Sequence, residues 1–243
     1  MTRRVVRLPS EDDVAEVVAG RLLDRLLVLQ AERDLVHVCL TGGETADRMY
    51  ERFAELADGS ALDASKLQLW WGDDRFLPAT DPDRNSLQAI TRLARTVAIK
   101  SADIHMMPVA DGRADPFEAA ADYATELGAT SFDITLMGMG TDGHIGSIFP
   151  GHPSFEPTNR SVIGVTDAPK PPEQRITLTI PTFNRSDELW FIVSGSAKAD
   201  AVVRALADDE SLPATHVRGK SSTLWFIDEA AAAGLDEPYR CLF

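Results

Sequence analysis

Short apolar runs alternate along this chain with longer stretches in which leucine, valine and alanine return at helical spacing. Parallel strands joined by crossover helices produce that alternation, because a helix must lead back before the next strand is laid. The runs predict strands at Val5 to Leu8, Val36 to Leu40, Leu67 to Trp71, Phe132 to Met137, Arg175 to Thr179, Leu189 to Val193 and Thr223 to Ile227. Several are hydrophobic without interruption, as in L-W-F-I-V at 189–193, so both faces of the sheet are expected to be covered. The expected class is α/β, with three layers, a mostly parallel sheet and helices on both faces.

Helices are predicted from Ser10 toward Gln30 and over Glu44 to Leu56, Ser86 to Leu93, Pro116 to Leu127 and Ala197 to Leu206. The first has a start signal in S-E-D-D, where Asp13 follows a Ser cap by three residues. The stretch 150–172 is rich in Pro, Gly and Thr and reads as a loop with one short strand at Ser161 to Val165. No repeat or low-complexity tract interrupts the pattern, and a single domain over 1–243 is expected. A chain of 243 residues buries roughly 70–75% of its unfolded surface, enough for a core without metal or disulfide staples.

Composition narrows the partners. With 24 Lys and Arg against 38 Asp and Glu, the net charge of -14 repels nucleic acid and anionic lipid. An anionic small molecule must then be held by a few placed cations and backbone amides working against the overall field. Two cysteines, Cys39 in a predicted strand and Cys241 near the C-terminus, make no disulfide framework and resemble no activated nucleophile. M-T-R-R-V-V-R-L-P-S lacks the apolar stretch of a secretion signal, and no window is long and apolar enough to span a membrane. The expected location is the cytoplasm.

Open α/β sheets bind ligands beyond the carboxyl ends of their strands, and four of these ends are chemically unusual. After 36–40 comes T-G-G-E-T, where Gly42 and Gly43 let backbone approach a ligand and Thr41 and Glu44 have capping-box spacing. It reads equally as an anion-holding helix start or a plain tight turn. After 67–71 comes G-D-D-R-F-L-P. Asp73, Asp74 and Arg75 could be a solvated turn, the usual fate of a charge run, or could hold Arg75 for a bidentate oxyanion contact. Asn85 is a helix cap or a ligand for a sugar hydroxyl, the cap being the simpler reading.

The most informative segment is F-D-I-T-L-M-G-M-G-T-D-G-H-I-G-S-I-F-P-G at 132–151, a strand running into five glycines with Asp142 and His144 two residues apart. Gly138, Gly140 and Gly143 satisfy G-x-G-x-x-G, but Pro150 and Pro153 arrive too soon for the long helix of a dinucleotide site. Nothing structural requires a His on such a loop. Imidazole gains and loses charge near neutral pH, so His144 is a candidate general base with Asp142 to orient it. A metal held by Asp142, His144 and His152 is disfavoured for want of a second ligand pair. Ser147 lacks a G-x-S-x-G elbow, leaving water as the better nucleophile. Later, Arg175, Thr177 and Thr179 share one strand face, and S-G-S-A-K places Gly195 and Lys198 at a helix start. A cation is disfavoured by the dipole at that end, so its presence there suggests that an anion is expected.

Together these segments resemble the 6-phosphogluconolactonase family in motif order: L-T-G-G-E-T at 40–45, W-G-D-D-R-F-L-P at 71–78, Asn85, G-M-G-T-D-G-H-I-G-S-I-F-P-G at 138–151, R-I-T-L-T at 175–179 and G-S-A-K at 195–198. The glycine-Asp-Gly-His run is specific; the others are weak singly. The resemblance implies a Rossmann-like fold shared with glucosamine-6-phosphate deaminases, no cofactor and no metal. It also implies a small phosphorylated sugar lactone as substrate, hydrolysed in the oxidative pentose phosphate pathway. By it, His144 is the base that activates water and Asp142 its partner. Gly42, Gly43, Thr45, Asp73, Arg75, Asn85, Arg175 and Lys198 bind substrate. Glu44, Thr45 and Ala46 depart from the family's usual Ser and Thr-Pro after the glycines, and Asp74 stands where Glu is usual. A monomer or weak dimer is expected.

Two rivals remain. A deaminase follows its D-G-H-I run with Phe-Asn-Glu, the Glu completing a proton relay, where this chain has Ser147, Ile148 and Phe149. A non-catalytic sugar-phosphate sensor needs a DNA-binding module for which no residues are spare.

Overall fold

The computed structural model describes residues 2–113 and 115–235. In chain order these form β1 (Thr2–Leu8), α1 (Glu11–Glu32), β2 (Val36–Leu40), α2 (Glu44–Ala57), β3 (Leu67–Trp71), β4 (Asp73–Arg75), α3 (Asn85–Leu93) and β5 (Ile104–His105). They continue as α4 (Pro116–Leu127), β6 (Ile134–Met137), β7 (Val162–Val165), β8 (Arg175–Leu178), α5 (Ile180–Phe183), β9 (Glu188–Val193), α6 (Ala199–Leu206) and β10 (Ser222–Asp228). Seven strands lie in one parallel sheet in the order β1-β10-β9-β6-β2-β3-β5.

The uninterrupted apolar runs are explained by the two faces they serve. Along β9, Leu189, Phe191 and Val193 enter a core that holds residues of α4 and α6, while Trp190 and Ile192 enter a second core with α1, α2 and α3. Successive side chains of a strand point to opposite faces, so a strand covered on both sides has no polar alternate. Each such side chain, fully buried, contributes about 1.5–3 kcal/mol relative to exposure. Helix α1 begins as its sequence predicts: Ser10 is the cap, and its hydroxyl accepts from the Asp13 amide at 3.2 Å.

A second, antiparallel sheet stands beside the first, in the order β4-β8-β7. Two expectations are corrected here. Asp73, Asp74 and Arg75 form strand β4 rather than a loop. The Arg175 strand ends at Leu178 and joins this small sheet instead of the parallel one. The reason is the connection from β7, which is too short for the crossover that a parallel neighbour requires. The 150–172 stretch contains a short 3-10 turn at Pro153–Phe155 and the expected strand, found as β7.

Among the described residues, no helix is long and apolar enough to cross a membrane. Cys39 is wholly buried, and burial pushes its thiol up, away from the reactive thiolate. Cys241 lies outside the described residues.

Candidate active site

Strands β2 and β6 are neighbours, yet the chain leaves β2 toward β3 and β5 and leaves β6 toward β9 and β10. Loops leaving such a pair in opposite directions open a crevice above the carboxyl ends, where ligands of this architecture bind. Its floor is stitched by the Gly138 amide, which donates to Thr41 Oγ1 at 3.3 Å. Above it lies a cavity of about 270 Å³. Gly42, Gly43, Asp73, Arg75, Asn85, His144, Arg175 and Lys198 line it, all candidates by sequence, and Lys170 joins them.

The loop after β6 is shaped around His144. Its Nδ1 lies 2.5 Å from Asp142 Oδ1, and the described residues offer its Nε2 no hydrogen-bond partner. Burial pushes the Asp142 carboxyl up, but the hydrogen bond and charge of His144, helped by Lys170, outweigh it and hold the carboxyl far below the usual carboxylate range. An ionised carboxylate only accepts, so Nδ1 carries a proton, and the lone pair of the uncharged form of the ring lies on Nε2. A Cβ on Gly140 would lie 2.0 Å from His144 Cε1, so only glycine lets the ring lie there. The ring rests against Phe149, centroids 4.7 Å apart. His152, weighed as a third ligand beside Asp142 and His144, has its ring nitrogens 3.0 Å from Ser154 Oγ and 3.0 Å from Thr166 O, so both are taken by neighbouring protein groups.

The first loop differs from expectation. Gly43, not Thr41, is the cap residue of α2, and no side chain caps that helix. Thr41 cannot serve, because Tyr50 Oη binds both its amide and its carbonyl and its hydroxyl faces Gly138. Glu44 pairs instead with Arg48. The uncapped amides of α2 therefore open beside the cleft, the arrangement that favours an anion. Thr45 does not line the cavity; its hydroxyl is buried and donates to Glu11 Oε1 at 2.7 Å.

The D-D-R run divides by function. Asp74 is 1% exposed and accepts from the amides of Arg75, Asn85 and Ser86, from Ser86 Oγ and from Arg84 Nη2. It caps α3 from a neighbouring strand, a role the sequence assigned to Asn85. Burial pushes the Asp74 carboxyl up, with Arg84, Ser86 and the Asn85 amide pulling against it. Asp73 faces the cavity, with one oxygen taking Ser147 Oγ at 2.8 Å. Ser147 is thereby occupied and fully buried, which removes it as a nucleophile. Asn85 Nδ2 donates to the Asp73 carbonyl at 3.0 Å, and its amide group fills the place of a Gly42 Cβ.

Arg175 is a buried clamp. Its guanidinium donates to the carbonyls of Pro172, Lys170 and Pro171 at 3.0, 3.0 and 3.1 Å. The clamp fixes the backbone of Lys170, whose Nζ lies 3.5 Å from Asp142 Oδ1. Sequence reasoning missed Lys170 because its only signal was a cation in a proline-rich loop. The Lys198 ammonium has no hydrogen-bond partner among the described residues; burial pushes it down, with Glu11 and Asp228 pulling it back.

A parallel sheet with helices on both faces and a His-Asp pair over its switch point define an α/β fold with an enzyme-like cleft, and the profile of one family matches residues 9–225. The chain belongs to the glucosamine-6-phosphate isomerase/6-phosphogluconolactonase family. It is 41% identical to the 6-phosphogluconolactonase of Streptomyces coelicolor, over 96% of this chain and 95% of that one. Against the 6-phosphogluconolactonase of Mycobacterium tuberculosis it is 38% identical, over 97% and 99%. The crystal structure of the Thermotoga maritima 6-phosphogluconolactonase superposes with a TM-score of 0.83 at 27% identity, over 94% of this chain and 100% of that one. A monomeric glucosamine-6-phosphate deaminase shares the fold, with a TM-score of 0.78 at 21% identity over 98% of this chain and 100% of that one.

Proposed function

We propose that this protein hydrolyses 6-phosphoglucono-δ-lactone to 6-phosphogluconate, with His144 as general base. The observation that supports this most is the 2.5 Å contact between His144 Nδ1 and Asp142, which leaves Nε2 without a hydrogen-bond partner among the described residues, on a ring that lines the cavity. A water between Nε2 and the lactone carbonyl loses its proton to His144 as its oxygen attacks C1. The tetrahedral intermediate then collapses, C1 parts from the ring oxygen, and His144 returns the proton to that oxygen. Lys198 and the uncapped amides of α2 suit the phosphate, and Asp73 with Asn85 suits the hydroxyls. No step calls for a cofactor or metal. The reading carries with it a cytoplasmic site of action and a single domain over 1–243.

The deaminase reading is disfavoured by Ile148 and Phe149, which lie 1% and 0% exposed where that chemistry needs a proton-carrying Glu. The test is the decay of freshly generated lactone with purified protein, against buffer alone and against His144→Ala. Wild type is expected to accelerate decay, and His144→Ala to lose about 10²–10⁴-fold in kcat. A decay matching buffer with folded wild-type protein overturns the lactonase reading.

A further inference from the structure

Four cations border the cavity, and they are not equivalent. Three N–H contacts of Arg175 are taken by backbone carbonyls, and Arg75 donates to the Asp83 carbonyl. Lys198 belongs to the turn that precedes α6, after β9. Lys170 alone stands beside the His-Asp pair, its Nζ 3.5 Å from the same Asp142 oxygen that takes His144 Nδ1 at 2.5 Å. That is a long contact for a charged hydrogen bond, and the Lys170 side chain is 43% exposed. The ammonium is therefore loosely held while its backbone is not. Ala168 is buried against Phe149 and Val165, and its amide donates to the Glu173 carbonyl, so the segment behind the lysine is built.

In a phosphorylated aldonolactone the carbonyl carbon and the phosphate lie at opposite ends of the molecule. Whatever the pose, the base must stand at the carbonyl end. Lys170 lines the same cavity as His144 and contacts the carboxylate that holds it, so of the four cations it is the one tied to that end.

We propose that Lys170 is a catalytic residue that leaves Asp142 to hold the oxyanion formed at the lactone carbonyl. This rests on the lactonase reading above. As the water oxygen bonds to C1 and its proton passes to His144 Nε2, the carbonyl π pair moves onto the carbonyl oxygen. The Lys170 ammonium receives that charge by hydrogen bond and keeps its proton. When the intermediate collapses, the pair re-forms the carbonyl, the C1–ring oxygen bond breaks, and His144 protonates the departing oxygen. The carboxylic acid so formed releases its remaining proton to solvent, and Lys170 then faces the product carboxylate.

The experiment compares wild type, Lys170→Met and Lys170→Arg, with kcat and KM measured separately. Calorimetric titrations use 6-phosphogluconate and glucitol 6-phosphate, which lacks the carboxylate. Lys170→Met is expected to lose about 10²-fold in kcat, the usual cost of an oxyanion donor, with little change in KM and an unchanged melting temperature. It should bind 6-phosphogluconate about 10-fold more weakly, as for a lost charged hydrogen bond, and glucitol 6-phosphate as wild type does. Lys170→Arg should recover part of both losses. A kcat within about threefold of wild type overturns the assignment. So does an equal loss of affinity for both ligands, or a rise in KM alone, since either places Lys170 at the phosphate. Wild-type protein that does not turn over the lactone overturns the lactonase reading itself, and this assignment with it.

Discussion

Two aspartates that follow strands of the parallel sheet, Asp74 after β3 and Asp142 after β6, have opposite surroundings. In D-D-R, Asp74 is 1% exposed and satisfied by five donors, including a buried guanidinium. In T-D-G-H, the Asp142 side chain is 37% exposed and, among the described residues, accepts from the His144 ring and amide and from Lys170. The first carboxylate has every lone pair assigned and serves as a keystone for β4 and α3. The second is left partly unassigned, so its charge is available to an imidazole. Completeness of the hydrogen-bond shell, more than residue type or place in the fold, separates scaffold from chemistry here.

Substitution can sharpen this contrast. The largest effect is expected at the scaffold: Asp74→Ala leaves Arg84 buried without its partner and should cost about 3–5 kcal/mol of stability, read by denaturant unfolding. Next, Asp142→Asn should reduce kcat by about 10²-fold while the chain stays folded, because an amide can no longer fix the His144 proton on Nδ1. A large loss of stability from Asp142→Asn with unchanged kcat would erase the distinction. Smallest is the acid response of the exposed pair. The Asp142 carboxyl is held below its unfolded value, so its contribution is complete above about pH 4 and lost as pH falls through the lower folded value. The melting-temperature difference between wild type and Asp142→Asn should therefore shrink below about pH 4.

The chain itself announced much of this. Apolar runs placed six of the seven predicted strands in the parallel sheet, because a strand covered on both faces is largely apolar, whereas the polar R-I-T-L run went to the small sheet and the short strands β4 and β5 carried no such signal. The glycine-rich loop named His144, since a His without structural reason stands out where Gly140 and Gly143 surround it. What stayed hidden depends on pairing across long separations. Nothing in D-D-R says that Asp74 will be met by Arg84 and by the amides of α3. Nothing in R-I-T-L says that Arg175 will spend its guanidinium on the carbonyls of residues 170–172. Lys170 was illegible for the same reason: its meaning comes from Asp142, which lies 28 positions earlier. Thr41 misled as a cap because Tyr50, a helix away, had already claimed its backbone.

The edge of the main sheet has a consequence for synthesis. Among the described residues, β1 pairs with β10 alone, in register from Thr2 opposite Ser222 to Leu8 opposite Asp228. The first of these strands to leave a ribosome thus has no partner until the last has followed it. α1 can pack on α2 early, but β1 must wait through the translation of some two hundred intervening residues, about 10–40 s at ordinary elongation rates. During that interval β1 has no strand to pair with, and its edge is covered only once β10 has been made.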